Sequence, residues 1–115
     1  MSIASDLVRG HTETIILANL VAQDSYGYQI NKKIQRKTSG QYELKEATLY
    51  SAFRRLEDAG CINSYWGNES TGARRRYYSI TPRGRVAFSR MKTDWETAKE
   101  LIDTLLMEED MSHAD

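Results

Sequence analysis

The spacing of apolar residues changes its period after Gly60, and that switch limits the folds open to the chain. Upstream, apolar side chains recur at helical intervals in three segments. Leu7, Ile15, Ile16, Leu20 and Val21 mark the first, from Ile3 to about Gln23 with a soft break at Gly10; Ile30 and Ile34 mark the second; Leu49, Ala52, Phe53 and Leu56 mark the third. Downstream, the β-prone runs CINSYW and RRYYSI flank GNESTGA, a stretch rich in turn formers, and read as a hairpin. Thr81-Pro82 then opens a new helix, because Thr caps well and Pro is tolerated at the first helical position. The predicted fold is mainly α with a small β-hairpin.

Local signals place the boundaries. Asp24-Ser25 is a plausible cap for the second helix, YGYQINKKIQRKT, which turns Lys32, Lys33, Arg36 and Lys37 outward and stops at Ser39-Gly40. The third, EATLYSAFRRLEDAG, ends with Gly60 in the C-cap position. In the return strand Tyr78 and Ile80 share one face and Tyr77 shares the other with Ser79, while Arg76 has the parity of Tyr78. The final helix is long for a chain of 115 residues, and its apolar positions Phe88, Met91, Trp95, Ala98, Ile102 and Leu105 are spaced 3, 4, 3, 4, 3. That heptad rhythm belongs to a helix that packs on another helix, and these positions form its seam.

Charge gives the first functional hint. Residues 1–92 hold fifteen Lys/Arg against eight Asp/Glu, whereas residues 93–115 hold one Lys against eight Asp/Glu. A basic body with an acidic tail suits a body that meets a polyanion and a tail that stays clear of it. Helix, helix, helix, hairpin is moreover the order of a winged helix-turn-helix, whose third helix enters the DNA major groove while the hairpin lies along the backbone. Residues 1–81 would form this DNA-binding domain, 82–108 the dimerisation helix, and 109–115 a disordered tail.

The candidate contacts follow from this placement. On the third helix the apolar stripe leaves Lys45, Glu46, Ala47, Thr48, Tyr50, Ser51 and Arg54 for the groove. Ala47 and Thr48 offer methyls suited to thymine, and Arg54 reaches a guanine or a phosphate. Tyr50 either touches DNA or lies half-buried against the second helix. TGARRR becomes the wing tip, where Arg74, Arg75 and Arg76 would neutralise phosphates, with Arg76 leaning nearer the core.

The segments YGYQINKKI, LKEATLYSAFRRLEDAGCI and SYWGNESTGARRRYYSITPRGR, with the Trp95-bearing helix, resemble the PadR family of bacterial transcriptional regulators. They look closest to its small subgroup typified by the lactococcal multidrug-resistance regulator. The resemblance runs from about Leu7 to Leu106. It implies a homodimer built by the C-terminal helices, which binds an inverted-repeat, double-stranded operator as a repressor; the cytoplasmic location expected for it comes from the single cysteine and the lack of a bilayer-length apolar run or a signal-peptide pattern. It also implies a central pore in which Trp95 meets a planar, often cationic aromatic compound, with Leu7, Gly10, Glu13, Thr14, Lys92 and Lys99 around it. A tryptophan face attracts flat cations, yet a tryptophan on a heptad seam also serves as plain interface packing.

Two features depart from the subgroup's pattern. Charges at Glu13, Lys92 and Lys99 would alter the pore, with Glu13 pairing with Lys92 or Lys99 or attracting a cationic ligand. Lys45 stands where a capping side chain is usual, so the third helix either shifts its start or is held by tertiary contacts.

Other function classes find little support. His11 and His113 have no metal-ligand partners at suitable spacing, Cys61 reads as a small core residue, and no Ser, His and Asp set is brought together. No metal, cofactor or membrane partner is expected, nor is catalysis. The rival reading is a winged-helix dimer used for protein contacts without DNA, which explains the heptad seam but leaves the basic third helix and wing without a role.

Overall fold

The computed structural model describes residues 3–67 and 74–109. Its elements run α1 (Ile3–Arg9), α2 (Thr12–Leu20), β1 (Ser25–Tyr26), α3 (Gly27–Lys37), α4 (Glu46–Asp58), β2 (Ile62–Trp66), β3 (Arg76–Ile80) and α5 (Pro82–Leu106). The antiparallel sheet has the order β1-β3-β2. Ile16, Leu17, Leu20, Ile30, Leu49, Ala52, Phe53, Leu56 and Ile62 form the core between α2, α3, α4 and the sheet, each at most 3% exposed. The predicted stripe of α4 is the buried one.

Three differences from the expected elements have local causes. The first is one of degree: the soft break expected at Gly10 is complete, dividing α1 from α2 at Gly10-His11, where Thr12 is buried and donates its hydroxyl to the Arg9 carbonyl at 2.6 Å. Ser25 does not cap α3. Ser25 and Tyr26 instead pair with Tyr78 and Tyr77 as a third strand, so α3 starts at Gly27 with no side-chain cap. Here sheet pairing over a long sequence separation wins over a local capping signal. The long helix ends at Leu106, slightly before the expected 108.

The turn between α3 and α4 is held from inside. Asn31 donates its amide to the Leu44 carbonyl and accepts from the Leu44 N–H, both at 2.8 Å. This clamp immediately precedes Lys45, which occupies the N-cap position of α4 without a side-chain cap. Tertiary contact therefore replaces the missing cap, the second of the two alternatives. α3 and α4 approach closely at Gly27, where a Cβ would lie 3.0 Å from the Tyr50 hydroxyl and 3.2 Å from Leu49 Cδ2, so both side chains would have to give way slightly.

At the other end of α4, Gly60 adopts φ 75° and lets the Cys61 N–H reach back to the Leu56 carbonyl at 2.9 Å. Thr81 then joins three elements. Its N–H donates to the Cys61 carbonyl at 3.0 Å, its hydroxyl donates to the Gly60 carbonyl at 2.7 Å, and the same oxygen caps α5 by accepting from Gly84 N–H at 3.0 Å. The expected Thr-Pro cap is thus present, and it also fixes the angle at which α5 leaves the core.

Phe88 and Met91 pack against this chain's own core. Both stay half-buried in one protomer. Further along α5, Ile102 and Leu105 are 51% and 79% exposed. The molecule is 70 Å long but only 30 by 21 Å across, because the second half of α5 runs beyond the domain that starts it. The tail expectation for 110–115, and His113 with it, lies outside the described residues.

Candidate nucleic-acid interface

One exposed surface runs from α4 to the hairpin. Lys45, Glu46, Ala47, Ser51 and Arg54 are exposed, and Thr48 is half-buried beside Tyr42 and Arg9. Tyr50 takes both alternatives at once: it is 45% exposed, yet its ring meets Phe53 edge-on at 5.6 Å and its hydroxyl end closes over Gly27. Between α4 and the sheet, Tyr50, Phe53, Arg54, Glu57, Arg76 and Tyr78 enclose a cleft of about 400 Å³. Its floor is packed, with Tyr78 3% exposed and stacked on Phe53 at 3.8 Å, and burial raises the Tyr78 phenol above its ordinary value.

The hairpin's inner and outer faces are furnished differently. On the inner face Arg76 donates to the Ser64 hydroxyl at 2.8 Å and lies 3.7 Å from the Glu57 carboxylate, to which Ser64 also donates at 2.8 Å. Arg76 shares the side of Tyr78, as its parity predicts, and its side chain leans toward α4 while staying exposed. On the outer face Tyr77 stacks on Tyr65 at 5.6 Å and meets Tyr26 edge-on at 5.2 Å. Tyr65 donates to Asp24, and that hydrogen bond raises the Tyr65 phenol above its ordinary value. Arg74 and Arg75 are exposed, with guanidinium carbons 5.4 Å from the Trp66 ring and 4.9 Å from the Tyr26 ring. Thr71, Gly72 and Ala73, the rest of the expected wing tip, lie outside the described residues.

On the opposite side of α2 lies an apolar groove of about 640 Å³. Leu7, Thr14, Trp95 and Lys99 line it, together with Val8, His11, Ile15, Ala98, Ile102 and Asp103. Four of the seven expected ligand positions are therefore brought together, and Gly10, Glu13 and Lys92 are not among the lining residues. Glu13 faces Arg55 of α4 at 3.8 Å, which replaces the expected pairing with Lys92 or Lys99. His11 sits in the break between helices and meets the Trp95 ring edge-on at 4.9 Å. Among the described residues, no group of three or more His, Cys, Asp or Glu side chains is placed to hold a metal, and no helix is long and apolar enough to cross a membrane.

Sequence reasoning did not single out Tyr26, Asn31, Glu57 or Trp66. Only Trp66 left a usable trace, since pairing SYW against RYY in a hairpin puts it directly opposite Arg76.

A helix-turn-helix followed by a β-hairpin, which a short strand before α3 extends to three strands, and by a projecting helix is the architecture of winged-helix transcriptional regulators. Within that class, the sequence pattern of the PadR-like family of transcriptional regulators matches residues 16–90. The chain belongs to the PadR family. A transcriptional regulator from Clostridium thermocellum is 47% identical and superposes with a TM-score of 0.83, over 92% of this chain and all of that one. A PadR family transcription regulator from Clostridium difficile is 34% identical, with a TM-score of 0.72 over 84% of this chain and 99% of its own. An uncharacterized protein from Lysinibacillus sphaericus is 42% identical over 104 residues, 90% of this chain and 95% of its own. The family and its structural neighbours are regulators of transcription, not enzymes.

Proposed function

We propose that the protein is a repressor that binds an inverted-repeat operator as a homodimer, with α4 in the major groove and the hairpin on the backbone. The observation that carries this reading is the continuous exposed face from Lys45 to Arg54, flanked by Arg74 and Arg75 held on aromatic rings. Phosphate neutralisation by such arginines releases counterions, so affinity falls as a power of salt concentration. The test is anisotropy titration of a labelled duplex from the region upstream of its own gene, repeated from low to physiological salt. A logarithmic slope steeper than about −4 is expected from two helix-and-wing units. A flat response would remove the DNA reading and favour the protein-contact module.

The apolar groove supports a ligand for that dimer, a planar aromatic cation that meets Trp95, which is 43% exposed in one protomer. Ala98, Ile102 and Leu105 would supply the subunit contact around it. Such a compound relieves repression only if it favours the DNA-free shape. Quenching of tryptophan emission by a flat aromatic cation is expected to vanish in Trp95→Ala and to survive in Trp66→Ala. Unchanged quenching in the Trp95 variant would sink this part of the proposal.

A further inference from the structure

The three consecutive arginines do not form one cluster. Backbone alternation sends Arg74 and Arg76 to one face of the hairpin and Arg75 to the other. The ladder extends past the end of β3, since the Gly67 N–H donates to the Arg75 carbonyl at 2.7 Å, so this alternation is fixed at its root. On the inner face the Trp66 ring has Arg74 at 5.4 Å and Arg76 at 5.9 Å. On the outer face the Tyr26 ring has Arg75 at 4.9 Å. All three lie within the ~6 Å over which a ring quadrupole holds a guanidinium.

The rings that seat these cations belong to different strands, and both are anchored. Trp66 is the cross-strand partner of Arg76, which Ser64 and Glu57 tie to α4. Tyr26 is fixed by pairing with Tyr77, whose ring also stacks on Tyr65. Yet Trp66 is 54% exposed, so burial does not account for a tryptophan here. A flexible arginine loses rotamer freedom when it meets a phosphate, and one already resting on an aromatic face loses less.

We propose that Trp66 and Tyr26 are positioning residues of the nucleic-acid interface. They hold Arg74 and Arg75 on opposite faces of the wing, so that one hairpin grips the two phosphate strands bordering a single groove. This rests on the DNA-binding reading above and adds how the wing is preorganised. Arg76 serves as the strut that ties the wing to α4.

The test uses a charge-neutral change. Full-length protein and its Trp66→Ala and Trp66→Phe variants are titrated against a labelled random-sequence duplex over a range of salt, with thermal unfolding as a check on folding. Trp66→Ala is expected to lose about three- to tenfold in affinity. It should also flatten the logarithmic salt slope by about one per wing, although no charge has been removed. Trp66→Phe, which keeps an aromatic face, should retain most of both. Affinity and slope equal to the unaltered protein in Trp66→Ala would overturn the proposal. So would weaker binding with the slope intact, which would make Trp66 a direct DNA contact, or equal losses in both variants, which would assign the effect to packing of the indole. A flat salt response in the unaltered protein would instead remove the DNA reading, and this inference with it.

Discussion

Gly84→Ala is expected to destabilise the protein by about 3–5 kcal/mol, at the upper end of overpacking changes. A Cβ on Gly84 would lie 2.1 Å from the Cys61 carbonyl oxygen and 2.8 Å from Ile80 Cγ1. The first of these is backbone, and it is not free to retreat, because that oxygen accepts the Thr81 N–H at 3.0 Å. Moving α5 away instead would break the Thr81 cap on Gly84 N–H and pull Ala87, Phe88 and Met91 off the core. For a chain of this size the loss corresponds to a fall of roughly 12–20 °C in the unfolding midpoint. Circular dichroism during heating measures it, and a midpoint within about 3 °C of the unaltered protein would show that the helix–hairpin junction has slack that the structure does not display.

Gly84 also illustrates what the sequence could and could not convey. The Thr-Pro signal before it is local, and so are the stripe Leu49, Ala52, Phe53 and Leu56 and the left-handed turn at Gly60; each is where the residues place it. Nothing within a few residues of Gly84 says that its helix turn rests on the backbone of Cys61. The same holds for β1, where Ser25 and Tyr26 carry a capping signal but find their partners in Tyr78 and Tyr77. Glu13 follows this rule too, since its choice of Arg55 over Lys92 or Lys99 depends on how α2 crosses α4.

The apolar stripe of α5 shows a subtler limit. A heptad period reports that a helix is apolar along one stripe, not whose surface covers it. Phe88 and Met91 pack partly against their own chain's core and Leu105 is 79% exposed, although all three obey one spacing. At the interface the parity of Arg76 was legible from the alternation of a strand, whereas its attachment to Glu57 required knowing that β3 lies beside the end of α4.

Replacing both Arg74 and Arg75 with alanine is expected to produce the largest change in DNA binding of any wing substitution. Each arginine that neutralises a phosphate adds about 0.9 to the logarithmic salt slope, so two wings of a dimer would lose about 3 to 4 in slope. At low salt the accompanying loss of affinity should be on the order of a hundredfold. Arg76 cannot substitute for them, because Ser64 and Glu57 hold its guanidinium and the carboxylate offsets its charge. The loss should be equal for the promoter duplex and for a scrambled duplex of the same composition, since phosphate contacts carry no sequence information. Discrimination between the two duplexes would then remain with α4, where Ala47, Ser51 and Arg54 are exposed. The size of the slope change is itself diagnostic: a loss near half the expected value would mean that one wing, not two, engages the duplex. An unchanged slope would take the arginine run off the DNA altogether and leave the wing as a support for α4.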